Sequence, residues 1–167
     1  MTHQLTDRVA VSGALIAADL RRLASEGFRS ILDLRAHGEP RPQGLAPWEE
    51  EVLAASAGLR YRQIPVEPHL LSDSLGHAVR RALCDTQPPV LLHCTTGRRA
   101  GTFGLIALAA DEALTVEQCL ARGRAMGLDF DGMPRLTAFL QNYVKRHGKH
   151  YAIDCGDGRQ PKGGAGL

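Results

Sequence analysis

The sequence predicts an α/β domain: a mostly parallel sheet flanked by helices, with extra helices at the C-terminal end. Three observations carry that prediction. Short apolar runs alternate with segments of helical period from Val9 to Ala110. Glycine, proline and polar clusters separate them. One run, Pro89–His93, passes through Cys94, Gly97 and two arginines into an apolar helix. That is how the carboxyl end of a buried strand feeds a helix N-terminus.

Each element has its own signal. Val9-Ala10-Val11 is a short strand ending at Ser12-Gly13. Ile16, Leu20, Leu23 and Ala24 recur at helical spacing, and Gly27 suits a C-cap. Ser30–Leu34 is the second strand, and 36–45, AHGEPRPQGL, is a Pro/Gly-rich loop. Pro47 opens a helix with Glu49, Glu50 and Glu51 in its first turn, where the helix dipole favours acids. It stops near Gly58. Tyr61–Val66 is the third strand. Leu75, Ala78, Val79, Ala82 and Leu83 mark another helix, and Pro89–His93 is the fourth strand. Phe103–Ala110 is apolar all round, so that helix is central. Thr115 and Gln118 form a capping box for a helix with Val116, Cys119 and Leu120 inward. Leu136, Phe139, Leu140, Tyr143 and Val144 give the last helix, closing near Gly148.

The chain has 167 residues, room for one domain with a real core. The expected domain is 1–150, with 151–167 a disordered tail. Charge is nearly balanced, 20 Lys+Arg against 18 Asp+Glu, which speaks against nucleic acid as a partner. No run is long enough to span a bilayer, and MTHQLTDRV lacks the regions of a signal peptide. Cys84, Cys94, Cys119 and Cys155 show neither zinc spacing nor a disulfide framework. The seven histidines form no metal-ligand pattern. The expectation is a cytoplasmic protein with no metal, no cofactor and no membrane partner.

Val90–Thr102, VLLHCTTGRRAGT, carries the chemistry. Cys94 sits where helix N–H groups point outward and attract anions. The same field, with cations nearby, favours a thiolate. Gly97 permits a turn that aims successive N–H groups inward. An arginine offers a planar fork for two oxygens of a phosphate or sulfate. Thr95, Thr96, Gly97, Arg98, Ala100, Gly101 and Thr102 complete the expected anion loop. A buried structural cysteine beside surface arginines explains the thiol, but not the glycine and arginines between strand and helix. Adjacent helical residues point about 100° apart, so one arginine clamps the anion and the other faces outward.

HCTTGRRAGT resembles the signature loop of cysteine-dependent protein phosphatases, HCxxGxxR[ST]GT. The likeness takes in FRSILDLR, YRQIPVE and the VSGALIAADLRRLASEGF opening, and spans Val9 to Val144. It is nearest to the bacterial beta-lactamase-hydrolase-like phosphatase-like domains, whose loop is one residue shorter. The resemblance implies a protein tyrosine (dual-specificity) phosphatase-like fold and hydrolysis of phosphate monoesters, on a phosphorylated protein or a small molecule. It makes Cys94 the nucleophile, Arg99 the phosphate clamp, and His93 the residue that orients the loop and helps keep the thiolate. Arg98 then faces outward or meets an acid. Ala100 departs from the pattern, which has a Ser/Thr there. Thr95, Thr96 or Thr102 would have to supply that hydroxyl, or breakdown of a phosphocysteine would be slow.

CxxGxR is also the active loop of rhodanese-like sulfurtransferases, which makes a Cys94 persulfide the alternative enzyme. A catalytically inactive phosphate-binding module is the third class. A phosphatase needs a proton donor. Pro68 stands where the resemblance expects the acid, leaving Glu67, His69 and Asp73 on the loop after the third strand. Asp73 also suits a helix cap. Asp129 and Asp131 suit turn roles. Asp33 and Arg35 prop the loop from a strand end.

Overall fold

The computed structural model describes residues 2–40 and 44–147. Five strands form one sheet: β1 Thr2–Gln4, β2 Val9–Ser12, β3 Ser30–Asp33, β4 Arg60–Gln63 and β5 Val90–His93. Their spatial order is β1-β2-β5-β3-β4, with β1 antiparallel to β2 and all other pairings parallel. Six helices accompany them among the described residues: α1 Ala17–Ser25, α2 Pro47–Ser56, α3 Asp73–Asp85, α4 Arg98–Glu112, α5 Val116–Ala125 and α6 Pro134–His147. The mostly parallel α/β prediction holds, with the added helices at the C-terminal end. The predicted end of the last helix near Gly148, the boundary at 150, Cys155 and the tail lie outside the described residues.

Side chains alternate across a strand, so the sheet has two distinct faces. Ala10, Ile31 and Leu91 join Leu20, Leu23 and Ala54 of α1 and α2 in one core. Val11, Leu32 and Leu92 pack against α3, α4, α5 and α6 in the other. The α4 side chains Phe103, Leu105 and Ile106 are fully buried in it. Each stabilises the fold by about 1.5–3 kcal/mol relative to exposure. β5 lies between β2 and β3 and is buried at all four positions. Its last residue pairs in register with Ser12 and Asp33, so Cys94 leaves the sheet at the carboxyl edge.

Four local expectations change. β1 adds a strand at the N-terminus, where the polar residues THQ carry no strand pattern. Ile16 is not on the inward stripe: it precedes α1, its N–H is taken by Asp19 at 3.0 Å, and its side chain is 52% exposed. The third predicted strand ends early, at Gln63, because Pro65 has no N–H to continue the ladder. Cys84, near the end of α3, is disulfide-bonded, which corrects the reading of four unpaired thiols.

Candidate active site

The loop after β5 is built by glycine and by contact with β2. Gly97 takes φ +83° and forms the N-cap of α4, a conformation that costs other residues about 1–2 kcal/mol. The Ala14 N–H donates to Thr95 O at 3.1 Å, and a Cβ on Gly13 would stand 3.3 Å from that same oxygen. The end of β2 and the loop are therefore locked together. Gly101 lets the first turn of α4 approach Leu128: a Cβ there would lie 2.8 Å from its Cδ1.

From Thr95 to Ala100 no backbone N–H has a backbone acceptor among the described residues. α4 carries no side-chain cap and no acid in its first turn. Its N-terminal partial charge is thus left for something outside the backbone. Cys94 is buried directly before this turn. The two arginines separate as the helical period requires. Arg99 turns inward, 7% exposed, and its Nη1 donates to Leu34 O at 3.3 Å and Val66 O at 3.2 Å. Its Nη2 donates to Glu39. Arg98 is exposed and donates to Gly132 O at 3.2 Å.

Beneath the loop, on the α2 face, lies a buried polar network. Arg35 donates Nε to both oxygens of Asp33 at 3.0 Å, and Nη2 to Asp33 Oδ2 and Glu50 Oε2 at 2.6 Å each. Tyr61 donates to Asp33 Oδ2 at 2.8 Å. His93 Nε2 lies 2.7 Å from Glu50 Oε1 and 3.7 Å from Asp33 Oδ1, an ion-pair contact without in-line hydrogen-bond geometry. Burial alone would raise the Asp33 pKa, yet the Arg35 bonds and His93 hold it below the usual carboxylate range. Burial and the Asp33 charge push the Tyr61 phenol up. Asp33, Glu50 and His93 present ligand atoms within 4.8 Å of one another, as a metal triad would. The guanidinium of Arg35 already supplies the cation for this pair of carboxylates. The network fixes His93, and with it the last strand residue before Cys94.

The predicted acids part company. Glu67 accepts the His37 N–H at 3.0 Å, and its neighbour Val66 holds Arg99, so Glu67 belongs to the rim of the site. His69 is exposed nearby in the same loop. Asp73 is the first residue of α3, capped by Ser72, and accepts from Arg146 Nη2 at 2.6 Å and His147 Nε2 at 2.8 Å. Those bonds lower its pKa. Asp129 accepts the Gly132 N–H at 3.1 Å, a turn role, and Asp131 is exposed. The three candidate hydroxyls also differ. Thr102 is buried and donates to Arg98 O at 2.9 Å, Thr95 donates to Glu39, and Thr96 is exposed.

Two site residues escaped sequence reading. Glu50 was one of three acids assigned to a helix dipole, and it is the one fully buried against Arg35 and His93. Glu39 lay in a loop with no periodic pattern. The signal available was position alone: an acid just past a strand's carboxyl end, on the edge where Cys94 emerges. A surface cleft of about 530 Å³ between α2 and β4, lined by Trp48 and Tyr61 among others, contains none of the loop residues.

Comparison with known proteins agrees with this geometry. Structures with the same fold include a putative phosphatase from Shewanella putrefaciens, at TM-score 0.74 and 19% identity, covering 87% of this chain and 90% of that one. P. aeruginosa TpbA in complex with pTyr superposes at TM-score 0.70 and 17% identity, covering 84% and 82%. The fold is protein tyrosine phosphatase-like. A beta-lactamase hydrolase-like protein of Xylella fastidiosa is 31% identical over 125 residues, 75% of this chain but 29% of the relative's length. Residues 2–113 match the family described as beta-lactamase hydrolase-like protein, phosphatase-like domain. The chain belongs to that family.

Proposed function

We propose that this domain hydrolyses phosphate monoesters through a cysteinyl-phosphate intermediate on Cys94. One observation carries the reading: unpaired N–H groups from Thr95 to Ala100 surround the start of α4, with a buried thiol before them and an inward arginine among them. Donors aimed at developing charge in a dry site are the strongest single source of rate enhancement. Phosphate oxygens would take the loop N–H groups and the Arg99 fork. Cys94 Sγ attacks phosphorus, the bond to the leaving oxygen breaks, and a proton passes to that oxygen. Water then attacks the phosphocysteine, the S–P bond breaks, and the thiolate returns. Glu67 is the proposed proton donor and later acceptor, since Asp73 is held by two cations of α6. The pTyr in TpbA makes an aryl phosphate the first substrate to try. The buried Ala100, with no hydroxyl beside the leaving sulfur, also favours a slower role as a phospholigand-binding module.

Cys94→Ser is the test. Turnover of an aryl phosphate should fall by roughly 10⁴-fold or more, as when a nucleophile is removed elsewhere. Tungstate binding by calorimetry should persist, because the backbone cradle is untouched. A serine variant with wild-type turnover would end the mechanism.

A further inference from the structure

We infer that Glu39 is the positioning residue of the anion loop: its carboxylate joins the two ends of the Cys94–Arg99 segment and sets the Arg99 fork. The inference rests on the oxyanion-binding reading above and assigns a residue to that same site. Glu39 comes from the loop after β3, while its partners come from the loop after β5. One of its oxygens, Oε1, accepts from both Thr95 Oγ1 and Arg99 Nη2. The other, Oε2, accepts the Ala36 N–H at 2.8 Å, which ties the carboxylate to the end of β3. The side chains of the pair are 16% and 9% exposed.

The geometry of Arg99 says which part of it Glu39 leaves open. A guanidinium carries five N–H donors in a fixed plane. Leu34 O and Val66 O hold Nη1, and Glu39 holds Nη2. No oxygen of the described residues accepts from Nε. The edge made by Nε and the second Nη2 hydrogen is the fork that grips two oxygens of a phosphate. The two carbonyl contacts are long for bonds to a charged donor, so they orient the plane weakly. An ionised partner orients it far better, because a charge-assisted bond is about twice as strong as a neutral one. Glu39 is such a partner. Burial would raise its pKa, but the bonds from Arg99, Thr95 and Ala36 prevail and hold it at about 2. A loop with only four residues between Cys94 and Arg99 gains a cross-tie from outside itself. Glu39 thus acts through Arg99 and touches no reacting atom.

The experiment is a double-mutant cycle read by sulfate affinity in calorimetry, with kinetics on an aryl phosphate alongside. Glu39→Gln keeps the shape and removes the charge. It should weaken sulfate binding about tenfold and raise KM by a larger factor than it lowers kcat, because the clamp loosens before the chemistry changes. In an Arg99→Lys background the same substitution should cost less than about twofold, since the fork it served is gone. Glu39→Asp retains the charge but is one methylene short of its three contacts, and should lose an intermediate amount. It stands in should the Gln variant not fold. Equal cost in both backgrounds would place Glu39 outside the Arg99 pathway and overturn the inference. Tighter sulfate binding in Glu39→Gln would make the carboxylate an internal competitor, which also overturns it. A wild-type protein that binds no sulfate overturns the oxyanion reading and this inference together. Wild-type binding with unchanged variants overturns the inference alone.

Discussion

Helix α2 begins with acids and helix α4 begins with arginines, although both start at the carboxyl edge of the same sheet. At α2, Glu49 accepts the Ala46 N–H at 2.8 Å, and Glu50 turns down into the buried network. Both are acids of the first turn, where they meet the positive end of the helix. At α4, a left-handed glycine takes the N-cap position, no acid follows, and the N–H groups stay open. The first helix spends its N-terminal field on its own side chains. The second leaves that field for an anion that the chain itself does not supply. Glu39 comes nearest to filling it, but it binds a hydroxyl and a guanidinium rather than the backbone donors. A helix start becomes a site when its own sequence declines to cap it.

Breaking the network at α2 should have the largest effect, and on stability. Glu50→Ala leaves Arg35 and His93 buried without that carboxylate, a change that typically costs about 3–5 kcal/mol. Urea denaturation would show it as a lower midpoint with an unchanged slope. A loss under about 1 kcal/mol would mean that Asp33 alone carries the charge of Arg35.

The arginines at α4 come next. Arg99→Lys keeps the charge and loses the fork, so kcat/KM on an aryl phosphate should fall about 10²-fold or more. Arg98→Ala should stay within about threefold of wild type, since Arg98 is an exposed cation on a carbonyl. The reverse ranking would show that the short loop is aligned wrongly and would remove the clamp from Arg99.

The smallest expected effect tests the contrast between the two helices most sharply. Thr96 is exposed just before α4. Thr96→Glu makes this N-terminus resemble that of α2 and should weaken sulfate binding several-fold, consistent with about 0.3–1 kcal/mol for a charge at a helix end. Unchanged affinity would mean that the field of α4 contributes little.

What was legible in the sequence follows from distance along the chain. The strand, Cys94, Gly97, Arg99 and the apolar helix are consecutive, so their order already states the chemistry. The split between an inward Arg99 and an outward Arg98 needed only the helical period, and the structure shows it. Asp33 and Arg35 as props were visible because both end one strand. Glu39 and Glu50 were not, since each reaches the loop from another crossover and neither has a periodic neighbour to mark it. β1 was invisible for a different reason: polar THQ becomes a strand only because β2 offers an edge to pair with. Asp73 shows the converse. It looked available in the sequence, and the partners that claim it lie on α6.

The central claim is that Cys94 becomes phosphorylated during turnover. The most direct form of the Cys94 test is to quench the wild-type protein in acid within its first turnovers of an aryl phosphate. The peptide containing Cys94 is then read by mass spectrometry. A phosphoryl group on the Cys94 sulfur, absent in Cys94→Ser and accumulating before steady state because Ala100 offers no hydroxyl, is the predicted result. Sustained turnover with no phosphate on Cys94 at any quench time would contradict it.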